Sequence, residues 1–286
     1  MNSPPLISVV IPCYNASRFI KTAIDSALKQ SHENVEVIVV DDGSSDNSVS
    51  VVQSIQDPRL RLLQNDTNLG AARSRNRALD VAQGEWIALL DGDDWFLPPR
   101  LEALLSAAVK HKADFVADDI YFVPENRPVD LERGLQENPR GYARPLRRIF
   151  RDTHLPHWLQ IEDMLRERLP GGNDPRVGLV KHLFRRSFLE DHGIRYANRA
   201  WREEDVPFYL DCLGHGARFL LVEGPWYCYR SHPGQTSHGW SEDDFQTRIE
   251  VNALFFDRPY VQSNTALSRI FQRRQKRFNR DLENCW

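Results

Sequence analysis

A chain of 286 residues with 41% hydrophobic and 27% charged residues has the composition of a globular protein that can bury a sizeable core, which excludes a disordered or fibrous chain. Its formal net charge of -3 supplies no overall basic field, which argues against nucleic acid as a partner. No apolar stretch approaches the ~20 residues that span a bilayer. Residues 1–6 carry two prolines and no positive charge ahead of the first apolar run, so the start reads as leading into a buried strand and not as a signal peptide. The scattered cysteines, Cys13, Cys212, Cys228 and Cys285, have neither CxxC nor zinc-finger spacing, which fits free thiols in a reducing cytoplasm.

Residues 7–11 form a short, apolar, β-branched run that predicts a buried strand ended by Pro12. Over 17–30, Phe19, Ile20, Ala23, Ile24, Ala27 and Leu28 recur at helical spacing, with Ser17 as the expected N-cap. A second strand over 35–40, nearly all Val and Ile, stops at Asp41-Asp42-Gly43-Ser44. A helix through Val49, Val52 and Ile55, a short strand over 59–64 and an Ala- and Arg-rich helix over 70–82 follow. The fourth strand, 86–90, runs straight into Asp91-Gly92-Asp93-Asp94. A helix over 98–110, with Pro98 in its first turn, and a fifth strand over 114–117 complete this half. The stretch 124–174, rich in Pro, Arg and Gly, predicts loops with one or two short helices. Helices are expected over 182–192 and 204–213, a strand over 218–222, and a polar, helical tail from Asp243 that is basic near its end. There is no internal repeat.

Strands alternating with helices imply an α/β fold with a mostly parallel sheet and helices on both faces. Ligands of such sheets bind outside the carboxyl ends of the strands. Tyr14-Asn15, Asp41-Asp42 and residues 91–94 each follow a strand directly and would gather on that edge.

Hard cations such as Mg2+ and Mn2+ take oxygen ligands, usually one or two carboxylates with phosphate oxygens. Asp91 and Asp93 suit one ion and one nucleotide, and Gly92 lets the backbone bend close to the ligand. The rival reading, an acidic turn capping the next helix, is weakened by the position after a buried strand. In Asp41-Asp42 one carboxylate can meet a base or ribose while the other caps a turn, and Asp41 is preferred for the ligand. Pro12, Tyr14 and Asn15 read on their own as a turn. Gly70, opening a helix with small residues, allows close approach of an anion, and Arg73 can offset diphosphate charge. Arg75 and Arg77 read as an ordinary solvated face. Glu203, Glu204 and Asp205 read on their own as dipole partners in a first helical turn. Residues 229–238 read as a polar loop in which Arg230 and His232 suit a leaving diphosphate.

In order, the segments VVIPCYN, VIVVDDGSSDNS, NLGAARSRNRAL, IALLDGDDW, EED and YRSHPGQTSH resemble the family-two glycosyltransferases, especially bacterial exopolysaccharide enzymes of the succinoglycan glucosyltransferase type. The resemblance implies the GT-A fold, a Rossmann-like sheet flanked by helices, with a C-terminal helical extension. It divides the chain into a catalytic region over residues 1–240 and an extension over 241–286. Within the catalytic region, residues up to about 120 would bind the nucleotide-sugar and residues 121–240 the acceptor. The resemblance implies nucleobase contacts from Tyr14 and Asp41, with Pro12, Asn15, Gly70, Gly92 and Ser237 also lining the nucleotide-sugar site. Arg73 would lie near the nucleotide, Asp91 on the nucleoside side, and Arg230 and His232 by the diphosphate. Asp93, with His232, would hold Mn2+ or Mg2+, and Asp205 would be the catalytic base, with Glu204 as the alternative.

The implied reaction is a single displacement that moves a hexose from a UDP-sugar to a carbohydrate or lipid-linked acceptor, inverting the anomeric centre, in polysaccharide biosynthesis. A nucleotidyltransferase would need a Gly-rich, Lys/Arg-bearing loop after the first strand, and PCYNASRF is not one. The other alternative is an inactive protein of the same fold that only binds a sugar nucleotide or a partner. Over 265–280, Leu267, Ile270, Phe271 and Phe278 share a helical face amid Arg269, Arg273, Arg274, Lys276, Arg277 and Arg280. Such a helix either packs on the catalytic region or lies on anionic lipid at the inner face of the membrane.

Overall fold

The computed structural model describes residues 3–125, 155–165, 181–198, 204–233 and 242–283. Its centre is the strand β1 (Ile7–Cys13), flanked by the parallel strands β2 (Val35–Asp41) and β4 (Trp86–Leu89), with β3 (Leu60–Gln64) parallel beyond β2. All of β1 except Pro12 is buried, as expected for a strand covered on both faces, where a continuous apolar run replaces alternation. The strand runs two residues past the expected stop. The β4 ladder ends at the Val10–Leu89 pair, so the N–H that Pro12 lacks costs no ladder bond on that side.

The helices between these strands are α1 (Ile20–Leu28), α2 (Ser48–Gln53), α3 (Ala71–Leu79) and, after the short β5 (Trp95–Phe96), α4 (Arg100–His111). Ser17 is not the cap of α1. Phe19 precedes the helix without a side-chain cap, and the Ser17 N–H donates to Asp46 at 3.0 Å.

The remaining strands in chain order are β6 (Phe115–Ala117), β7 (Ile120–Pro124), β8 (His157–Leu159), β9 (His182–Arg185), β10 (Phe219–Leu221) and β11 (Tyr227–Ser231). The large sheet has the order β3-β2-β1-β4-β9-β6-β10-β8, and a small sheet has the order β5-β11-β7. A helix over 182–192 is corrected by this topology. Residues 182–185 form β9, antiparallel to both β4 and β6, and only then does α6 (Arg186–His192) begin. Burial selects the strand: His182, Leu183 and Phe184 are inaccessible, and Phe115 stacks on Phe184 at 5.2 Å. Likewise Tyr229, Arg230 and Ser231 belong to β11 and not to a loop.

The helix α5 (Ile161–Leu165) precedes β9, α7 (Asp205–Gly214) follows α6, and α8 (Glu242–Phe256), α9 (Pro259–Gln262) and α10 (Thr265–Glu283) end the chain. Leu267, Phe271 and Phe278 of α10 are buried, Phe271 lying parallel to Phe255 of α8 at 6.4 Å. The apolar face of α10 therefore packs on protein, and Phe255, Val261, Leu267 and Phe271 join the same core as β1.

Candidate active site

Because β1, β2 and β4 are parallel neighbours, the segments that follow them leave one edge of the sheet. Cys13 pairs with Asp41, the Asp42 N–H donates to the Cys13 carbonyl at 2.8 Å, and the Leu90 N–H donates to the Val10 carbonyl at 3.1 Å. Gly92 lies close to β1: a Cβ there would stand 3.0 Å from the Pro12 carbonyl oxygen, tighter than most real contacts. A side chain at position 92 would wedge the acidic loop away from the first strand.

The two aspartates after β2 do different work. Asp42 is 3% exposed and wholly engaged: one oxygen accepts from Asn65 Nδ2 at 2.7 Å and the Leu69 N–H at 3.0 Å, the other from the Gly70 N–H at 2.7 Å. It thereby fixes the entry to α3, where Gly70 has φ of 90°, a conformation that favours glycine. Asp41 accepts the Ser44 N–H at 3.1 Å through Oδ2, while its buried Oδ1 has no hydrogen-bond partner. A buried acceptor left unpaired is costly, and a ligand donor at this edge would satisfy it. Asn15, at φ 48°, spends its side-chain oxygen on the Ser45 N–H at 2.9 Å, which holds the neighbouring loop. Tyr14 is half exposed and Arg73 is exposed.

In the loop after β4, Asp91, Asp93 and Asp94 also separate. Asp94 is 1% exposed; it accepts the Tyr227 hydroxyl at 2.6 Å and the Arg230 N–H at 2.8 Å, tying the loop to β11. Asp93 meets His232, Oδ2 to Nε2 at 3.0 Å, and His232 packs on Phe19 with ring centroids 4.8 Å apart. Burial, together with the charge of Asp91, pushes the Asp93 carboxyl above its ordinary value, and the His232 contact offsets only part of this. Arg230 lies over the rings of Phe19 and Trp95, and its Nε donates to the Asp93 carbonyl at 2.8 Å, so it buttresses the Asp93 backbone.

Asp91 leads to a buried charge cluster. One Asp91 oxygen lies 2.8 Å from Arg75 Nη2 and the other 3.0 Å from Lys181 Nζ. The same Arg75 pairs through Nη1 with Glu204 and, at 3.2 Å, with Asp205 Oδ1, and Lys181 Nζ lies 2.6 Å from Asp205 Oδ2. Burial alone would raise the Asp91 carboxyl, but Lys181 and Arg75 more than offset it and bring it to about 2. Glu204 moves the other way, raised by burial that Arg75 does not fully cancel.

Arg75 is thus no solvated residue: it is 2% exposed and stacked over Tyr196 at 5.4 Å. It and Lys181 were not legible as site residues. The helical spacing of Ala72, Ala78 and Leu79 places Arg75 on the buried side of α3, a signal that the Arg-rich composition masked. Lys181 falls just before an unrecognised strand. Arg77 is exposed, as expected. Ser237 and Glu203 lie outside the described residues, as does Cys285; Cys13, Cys212 and Cys228 are free and buried.

Fold and edge together define an α/β framework whose parallel strands end at an acidic, cation-balanced site. The profile of glycosyl transferase family 2 matches residues 8–193, and the chain belongs to that family. It is 32% identical over 229 residues to the succinoglycan biosynthesis protein ExoU of Rhizobium meliloti, covering 79% of this chain and 62% of that protein. It is 40% identical over 121 residues to the Escherichia coli UDP-Glc:alpha-D-GlcNAc-diphosphoundecaprenol beta-1,3-glucosyltransferase WfgD, covering 42% of this chain and 48% of that protein. The chain therefore spans about half to two thirds of these relatives' length. The structure of S. aureus TarS 1–349 in complex with UDP-GlcNAc superposes with a TM-score of 0.69 at 20% identity, covering 94% of this chain and 72% of that one. That likeness shows the GT-A fold expected from the sequence.

Proposed function

We propose that the chain transfers a hexose from a UDP-sugar to a carbohydrate acceptor, lipid-linked or free, in polysaccharide biosynthesis, with inversion at the anomeric carbon. The observation that carries this reading is the junction of Asp91, Arg75, Glu204 and Asp205 in one buried cluster beside the Asp93–His232 pair. The names of the relatives support it: WfgD takes UDP-Glc and a diphosphoundecaprenol-linked sugar, and ExoU serves succinoglycan biosynthesis. Residues 1–240 form the catalytic region in this reading, and 241–286 its extension.

Asp205 is the base. It takes the proton of the acceptor hydroxyl as that oxygen bonds to the anomeric carbon and the bond from carbon to the UDP oxygen breaks. One step inverts the centre, and no sugar–enzyme bond forms. Asp91, held at both oxygens by Arg75 and Lys181, lies on the nucleoside side of the donor. Asp41 receives the base through its unpaired Oδ1, with Tyr14 alongside. Arg73 and Gly70 at the start of α3 lie toward the diphosphate.

Asp93 and His232 fit a divalent cation: one carboxylate and one imidazole, 3.0 Å apart, at an edge where burial and then the charge of Asp91 raise Asp93. Among the described residues no cluster of three or more such ligands occurs, so phosphate oxygens would complete the set. Mn2+ or Mg2+ held there would neutralise charge on the departing diphosphate.

Buried free thiols support a reducing, cytoplasmic setting. Among the described residues no helix is long and apolar enough to cross a membrane. The exposed row Arg269, Arg273, Lys276 and Arg280 on α10 supports electrostatic contact with an anionic lipid surface, without insertion, because the apolar face of that helix is buried.

The test is UDP release from UDP-glucose, UDP-galactose and UDP-N-acetylglucosamine in Mn2+, Mg2+ and EDTA. Metal-stimulated release from one of these sugars is expected. Metal-dependent UDP binding with no release from any of them would leave the inactive, binding-only alternative.

A further inference from the structure

Lys181 stands at the meeting of two groups that act on different partners in the proposed reaction. Its Nζ is 2.6 Å from Asp205 Oδ2 and 3.0 Å from Asp91 Oδ2, and the residue is 5% exposed. Its backbone is fixed as well: the Lys181 carbonyl accepts from Arg100 Nη2 at 2.5 Å. That guanidinium is itself held in the core by Asp118 at 2.8 Å. Lys181 is therefore a cation on a rigid mount, placed at the start of the antiparallel strand β9, with its charge aimed into the cluster.

We propose that Lys181 is a positioning residue for the transfer reaction, which orients the Asp205 carboxylate and balances its charge while coupling it to the donor-side Asp91. This rests on the reading of Asp205 as the base. Three carboxylates, Asp91, Glu204 and Asp205, share two cations, Arg75 and Lys181, and no other charged group is within ion-pair distance of Asp205 among the described residues. The other titratable neighbours are the hydroxyls of Tyr196, in the segment after α6, and Tyr209 of α7.

Geometry gives the two cations separate tasks. Arg75 takes Oδ1 of Asp205 and Lys181 takes Oδ2, which fixes the plane of the carboxylate and so the direction of the remaining lone pairs. Arg75 spans the same two carboxylates with separate nitrogens of its planar fork, whereas Lys181 does so with one compact ammonium. Burial alone would favour a neutral amine, but Asp205 and Asp91 more than offset it and hold Lys181 above its ordinary value. Lys181 is thus a fixed charge over the working pH range, not a proton carrier.

The experiment uses the full chain, the UDP-sugar that gives most UDP release, Mn2+, and water as the acceptor, with kcat and KM followed against pH. In Lys181→Met the acid limb of kcat/KM moves up by about one to three pH units, the range an opposite charge at this distance commands. The rate falls most at about pH 5 and recovers toward pH 8, while UDP affinity in Mn2+ stays at the wild-type value. Lys181→Arg restores the limb and lowers kcat. In an Asp205→Asn background, Lys181→Met costs nothing further, because Lys181 acts through Asp205. Should Lys181→Met not fold, the polar Lys181→Gln carries the same limb measurement. An unmoved limb, with activity either intact or lowered equally at every pH, overturns the inference and leaves a structural ion pair. A wild-type chain that releases no UDP from any sugar defeats the transferase reading instead.

Discussion

Asp94→Ala separates a framework role from a metal role within the acidic loop. A third carboxylate next to Asp93 invites the idea that the two share an ion. In the structure both Asp94 oxygens are taken, by the Tyr227 hydroxyl at 2.6 Å and the Arg230 N–H at 2.8 Å, and the residue is 1% exposed. Removing the carboxyl strands two buried donors, each costing about 1–3 kcal/mol, so a loss of roughly 2–6 kcal/mol is expected. For a chain somewhat larger than 250 residues, about 2–3 °C of Tm goes with each kcal/mol, giving a fall of roughly 4–18 °C. The assay pairs thermal melts in EDTA, where no metal contributes, with Mn2+ titrations of UDP binding at a temperature where the variant is folded. The melt should fall and the Mn2+ dependence should persist. A variant that melts with the wild type but binds UDP equally with and without Mn2+ would make Asp94 a ligand and refute the tie to β11.

Asp205→Asn should abolish transfer, by about 10²–10⁴-fold, while keeping UDP and metal affinity; retention of more than roughly a tenth of the rate would move the role of base to Glu204. Asp93→Ala should weaken UDP-sugar binding in Mn2+ far more than in EDTA, and equal wild-type affinities in the two media would end the metal reading. Burial pushes the Cys13 thiol up to about 12, so the folded protein should resist iodoacetamide at pH 8 and lose stability as pH rises from about 8.5, where an unfolded thiol ionises, toward that value. Rapid labelling of Cys13 in the native state at pH 8 would contradict this burial.

The elements that carry strong local patterns were legible in the sequence: β1 and β2 are rich in Val and Ile, β4 is the apolar run Trp86–Leu89, and each leads into polar residues that gather on the edge. What was not legible depends on partners distant in the chain. Nothing local distinguishes HLFR as a strand from the first turn of a helix; β9 is held as a strand by pairing with β4 on one side and β6 on the other, antiparallel to both. Arg75 resembles Arg73 and Arg77 in sequence, yet it is a site residue because Asp91, 16 positions away, and Glu204, 129 positions away, converge on it. Asp41 and Asp42 show the same limit at short range. The residue pair signals a turn and a ligand, but only the Gly70 and Leu69 N–H groups reveal that Asp42 is the one consumed by structure.

The C-terminal helices raise a last question, whether they are a passive appendage or a brace on α7, and Gly214→Val answers it. Gly214 closes α7, and a Cβ there would lie 2.3 Å from Cε1 of Tyr260 in α9, closer than real atoms approach. The same contact region is tied by Asp211 of α7, which accepts from Arg258 Nη2 at 3.0 Å and from the Tyr260 hydroxyl at 3.4 Å. Val206, Pro207 and Leu210 of α7 face Val251 and Phe255 of α8 and Phe271 of α10 across a shared cavity, and α9 packs on both α8 and α10, so a shift of α9 disturbs helices that line it. Overpacking of this kind costs about 1–3 kcal/mol, enough for a fall in Tm of several degrees. Asp205 sits nine residues before Gly214, roughly 14 Å along the helix at its normal rise, and Asp41 and Asp93 belong to other elements. The variant should therefore be cut sooner within 242–283 by a protease, melt earlier, and bind UDP in Mn2+ as the wild type does. Unchanged proteolysis and melting would show that α9 yields without cost and that the C-terminal helices do not brace α7. A loss of UDP affinity would show that the brace reaches beyond α7 into the nucleotide edge itself, which the contacts of α9 with α7 do not provide for.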